Sequence, residues 1–582
     1  MYDKIANYQD LTLKECDLLS DEIAQFLASK TSFDVDTIMR NISVLEVTMA
    51  IHKVFDLTQD TLIFDDIQQS LVDQVLRGEG ELLQLRSTNS HSSKSNDNFH
   101  YHGGLPGDGL SLALAKAINN EHQTIIISDD NALNHGATYE ALLEIGRLKA
   151  NVTLVLMDEQ KSLLRHYNSV NAAIKSVRIS KVYTDTKRDV KTVLSSNPIS
   201  RPLLNTLTHF RDAIKDAVIE PTIFTQFGFD YHGPINGQKF SDLIKIFKLA
   251  QSMTGPNVIH VQTRVKEKEF RKLEFPAFKT DHDRPDNYSD YIETLDRVMT
   301  LHQDIVMVND VKYPSDHFKE FQLLYPDQYH TTNGSLDLIL PMVLGLSNKE
   351  VKPVISISSH LANELLSRLD QHSSHMESLI IIIREAGLSS KGQALNHGIY
   401  DFSLATICPD FKVMMAKDMN EASYLMEYAL NQKQKMILRI PSGNEKVEHQ
   451  VLQFEDVWDQ IIPFTDKSKG VIITFGPSLK MLHRKITINN LDVGLINART
   501  INSIDESIIK DIHDKGLPVL IYNCEGRYDL LSHTLYEYLM HEKIMMNVTS
   551  FNLNKVDLSL SARQIKDKYK LSIDDCIHFL NQ

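Results

Sequence analysis

Residues 124–157 read TIIISDDNALNHGATYEALLEIGRLKANVTLVLM. Two short apolar runs, 124–127 and 152–157, flank an acidic turn and a helical stretch. Short continuous apolar runs alternating with helical periods read as strands of a parallel sheet covered on both faces. The alternation recurs along the chain, with runs at 258–262, 305–308, 354–357, 379–383, 412–415, 436–440, 471–475 and 518–522. Helical periods lie between them, as with Leu18, Leu19, Ile23, Phe26 and Leu27 in the first helix. The expected class is α/β, with parallel sheets flanked by helices.

At 582 residues the chain suits about three domains. An apolar fraction of 42% and a charged fraction of 24% are those of an ordinary globular protein. Lys and Arg number 61 against 76 Asp and Glu, a net charge of −15, which weighs against a nucleic-acid partner. No apolar stretch reaches the roughly 18 residues of a membrane span, so no membrane partner is expected. The start, MYDK, has no basic segment leading into an apolar run, so no signal peptide is expected. Cys16, Cys408, Cys524 and Cys576 form no CxxC pair, which fits a reducing, cytoplasmic setting. Glycine is scarce, 23 of 582, or roughly 4% against a usual 7%. Phosphate cradles use glycine for close backbone approach, so the shortage weighs against a working diphosphate site.

Residues 87–104 (STNSHSSKSNDNFHYHGG) read as a polar loop, and charged residues 265–288 read as a linker. A third break falls near SGNEKVEH at 442–449. Domains are expected at 1–285, 286–445 and 446–582.

Several segments carry a resemblance. LEVTMAIHKVF (45–55), GFDYHGPING (228–237), TGPNVIHVQT (254–263), YPDQY (325–329), AGLSSKGQALNHGIYD (386–401) and LINARTINSIDESII (495–509) stand in one order. Together they resemble the 1-deoxy-D-xylulose-5-phosphate synthases of the transketolase superfamily. The resemblance implies a three-domain transketolase-like fold, a homodimer, and thiamine diphosphate with Mg²⁺ held between the first two domains. It also implies a transferase that joins pyruvate to glyceraldehyde 3-phosphate in isoprenoid biosynthesis.

The residues that the resemblance assigns to chemistry differ here. In the metal motif, Asp130 aligns with the family's aspartate, Asp129 and Asn131 with its glycines, and Glu159 with its later asparagine. Asp130 and Glu159 are the candidate Mg²⁺ ligands, and with Asn131 the candidate cofactor contacts. Hard oxygen donors suit Mg²⁺ or Ca²⁺, but carboxylates at Asp129, Asp130 and Glu159 add negative charge where a diphosphate is already an anion. The catalytic glutamate aligns with Leu336, which cannot share a proton with the aminopyrimidine. Asp337 is the one candidate for its rescue, although on a helix it points about 100° away. Leu361 replaces the ring-stacking phenylalanine, and Glu364 and Glu385 replace arginines. Thr37, Gln68, Asp73 and Asn396 replace histidines, while Arg439 keeps one arginine of a pair, the candidate phosphate contact.

Three readings follow. One is a pseudoenzyme with a binding or regulatory role, including a heteromeric partnership with an active relative. The second is an active thiamine diphosphate-dependent transferase with relocated groups. The third is different chemistry at a cluster of His100, His102, Asp108, Asp129 and Asp130; histidines in a polar loop favour solvation over that role.

Overall fold

The computed structural model describes residues 1–29, 35–66, 69–78, 100–102, 108–118, 122–158, 223–263, 289–310, 321–332, 336–346, 351–359, 361–362, 364–365, 368–369, 376–388, 397–402, 408–432, 434–441, 458–553, 556–557 and 560–580. The chain divides into two compact units, Met1–Ser87 with His91–Phe278, and Thr88–Ser90 with Lys279–Gln582.

The first unit holds β1 (Thr61–Phe64), β2 (His100–His102), β3 (Thr124–Asp129), β4 (Val152–Asp158), β5 (Asp230–Asn236) and β6 (Asn257–Gln262). They form one parallel sheet in the order β2-β1-β3-β4-β6-β5. Alternate side chains along each strand feed opposite faces. Leu62, Phe64, Ile125, Ile127, Val155 and Val261 pack under helices Leu13–Ala28, Leu45–Val54 and Phe240–Ser252. Ile63, Ile126, Leu154, Leu156 and Val258 pack under helices Asp108–Ile118 and Gly136–Leu148. Burial on both faces is why these strands read as unbroken apolar runs. Residues 100–102, expected within a polar loop, are instead an edge strand, because their backbone pairs in register with Leu62–Phe64.

The second unit holds two sheets. β7 (Ile305–Asp310), β8 (Tyr329–Thr332), β9 (Lys352–Ser358), β10 (Leu379–Ala386), β11 (Lys412–Met415) and β12 (Lys435–Pro441) form a parallel sheet ordered β11-β12-β10-β9-β7-β8. β13 (Asp459–Ile462), β14 (Val471–Thr474), β15 (Gly494–Asn497), β16 (Val519–Asn523) and β17 (Val548–Asn552) form the third, ordered β13-β15-β14-β16-β17, with only β13 antiparallel. One apolar core joins them: Val308, Ile355, Ile357, Ile381 and Ile383 share it with Val471, Ile473, Ile496 and Ile521. The linker expected at 265–288 lies outside the described residues.

Candidate functional site

In the first sheet, β2 lies on one side of β1 and β3 on the other. Open parallel sheets bind ligands at the carboxyl ends of their strands, where the strand order reverses in this way. The switch point lies between β1 and β3, and the chain places Asp65 and Asp66 after one and Asp129 and Asp130 at the end of the other.

Asp65 is buried and already bonded. Its Oδ1 accepts the Gly109 N–H at 2.8 Å, at the amino end of helix Asp108–Ile118, and its Oδ2 accepts the Ser128 hydroxyl at 2.8 Å. A Cβ at Gly109 would stand 2.6 Å from Asp65 Oδ1, so the helix start and the carboxylate need that glycine to meet. Arg40 reaches in from helix Val35–Ser43 and donates to Asp66 Oδ2 at 3.1 Å. Asp129 is half-buried, and its carboxyl is pushed up to about 7. Burial is the main cause, the charges of Asp66 and Asp130 add to it, and Arg40 opposes it. Asp130 is buried and opens the 3₁₀ turn Asp130–Asn134.

A diphosphate at a strand end needs neutral or cationic donors and open helix N–H groups. Here the Gly109 N–H is taken by an internal carboxylate, the guanidinium is held by Asp66, and further carboxylates crowd around. These residues do not fit a diphosphate. Among the described residues, no group of three or more His, Cys, Asp or Glu side chains is placed to hold a metal ion.

The remaining positions fall as follows. Asn131 sits in the 3₁₀ turn, but its side chain, like the whole of Glu159, lies outside the described residues. Leu336 and Asp337 open helix Leu336–Leu346, and their side chains are likewise outside. So are the side chains of His100 and His102 and all of Gln68 and Asn396. Asp108 is exposed at the start of its helix. Thr37 is buried, with its carbonyl accepting Asn41 Nδ2 at 2.8 Å. Asp73 is buried between His52 Nε2 at 2.8 Å and Arg77 Nε at 3.1 Å. Leu361 packs against the shared core of the second unit, and Glu364 lies 3.9 Å from Arg368.

Arg439, expected to meet a substrate phosphate, is instead turned inward. Its side chain is 0% exposed, its Nε donates to Asp401 Oδ2 at 2.6 Å, and its Nη2 donates to the carbonyls of Gly398 and Glu525, each at 2.8 Å. A guanidinium this enclosed holds the second and third sheets together and has no face left for a ligand.

Sequence reasoning missed one constellation. Tyr231 OH lies 2.6 Å from His260 Nδ1, and His260 Nε2 lies 3.2 Å from Asp158 Oδ2, all three residues being buried. Tyr231 and His260 stood inside GFDYHGPING and TGPNVIHVQT. Only the pairing of β5 with β6 and of β6 with β4 brings them beside Asp158.

Residues 1–263 match the family model of 1-deoxy-D-xylulose-5-phosphate synthase. The chain is similar to the 1-deoxy-D-xylulose-5-phosphate synthase of Macrococcus caseolyticus, at 25% identity over 96% of this chain and 97% of that one. It is similar to that of Clostridium tetani at 24%, over 98% and 96%, and to that of Listeria innocua at 27%, over 88% and 86%. Among solved structures, transketolase from Campylobacter jejuni aligns over 98% of this chain and 100% of that one, at 12% identity and a TM-score of 0.40, an overlap too loose to carry an argument. The parallel sheets and the helices that cover them define an α/β protein. More particularly, its sequence is similar to 1-deoxy-D-xylulose-5-phosphate synthases over nearly its whole length.

Proposed function

We propose that this chain keeps the synthase architecture but has given up thiamine diphosphate chemistry, and serves as a cytoplasmic binding or regulatory protein. The observation that carries this reading is the switch point of the first sheet. Four aspartates converge there, and one of them, Asp65, occupies the helix N–H that an anionic ligand would use. The alignment supports it, with Leu336 at the glutamate position and Glu364 and Glu385 in place of arginines. As a homodimer, or paired with an active relative, such a chain would act through the surfaces of its fold. A second reading, an active transferase, rests on Asp337, which follows Leu336 at the start of the same helix.

Calorimetric titration with thiamine diphosphate and Mg²⁺ separates the two. The expected result is no saturable heat and no thermal stabilisation at millimolar cofactor. Saturable micromolar binding would overturn the proposal and move the question to pyruvate turnover, with Asp337→Asn as the variant to compare.

A further inference from the structure

We draw no further inference here: the strongest candidate, the exposed apolar patch of Tyr536, Met540 and Met545 on helix Leu530–Glu542 and the residues that lead from it into the edge strand β17, carries nothing because nothing in the structure shows what covers it.

Discussion

The guanidinium of Arg439 lies 3.9 Å over the Phe402 ring and between Asp401 and two carbonyls, with no route to solvent. Truncating it strands the Asp401 carboxylate in the interior. Breaking a buried pair from one side costs about 3–5 kcal/mol, while replacing both partners with apolar groups is often neutral. Arg439→Met should therefore lower unfolding stability by about that amount in urea, and Arg439→Met with Asp401→Leu should recover most of it. Equal loss in the single and double variants would refute the pairing account. His232 is the opposite case, a buried imidazole with no ion pair of its own. Burial holds its pKa below the ordinary value, against the pull of Asp230 and of the Asn257 side chain. On acidification the unfolded chain takes up this proton near pH 6.5 and the folded one does not, so stability falls as pH drops through that value. His232→Leu should flatten the decline in melting temperature between pH 7 and pH 5, and an unchanged slope would rule out His232 as its source.

Among elements, helix Gly136–Leu148 meets its neighbour backbone to backbone. A Cβ at Gly146 would lie 1.6 Å from the Phe227 carbonyl oxygen, which no rotamer can relieve. Gly146→Ala should force the turn after helix Ile223–Gln226 aside and cost about 1–3 kcal/mol, measured by denaturant midpoint. A neutral alanine there would show that the turn yields freely. The same scale shows what the sequence made legible. Each of the apolar runs read as strands became one, from 124–127 to 518–522, because burial on two faces leaves an unbroken apolar signature. β5 escaped notice because DYHGPIN carries Gly-Pro and polar residues on an edge strand. β17 escaped because its residues are all half-buried, on the edge strand of the third sheet. The three-residue β2 lies at the end of a Ser- and Asn-rich stretch and has no apolar run to announce it. The acidic switch point was partly legible, since SDDNAL places Asp129 and Asp130 at a strand end. Asp65 was not, because its role depends on Gly109, and only the folded sheet brings the two together.

At the scale of the molecule, the second and third sheets are tied by more than their common core. Met415 N–H donates to the Arg499 carbonyl at 3.0 Å and Ile501 N–H to the Val413 carbonyl at 2.8 Å, so β11 continues its ladder into the segment after β15. Glu421 Oε1 accepts both Arg499 Nε and Asn497 Nδ2 at 3.0 Å, carrying helix Met419–Asn431 of one sheet onto a strand of the other. Arg439 adds a third tie through the Glu525 carbonyl. Cooperative units follow contact density, so both sheets should open together even though an apparent domain break falls between them in sequence. Hydrogen exchange on the full chain reads this directly. In Arg439→Met, amides of β12 and of β16 should lose protection by the same factor, while those of β3 and β4, in the other unit, keep theirs. Loss confined to β12 would mean that the two sheets open separately and that the buried arginine serves only its own strand. Loss extending equally to β3 would mean that the units unfold as one.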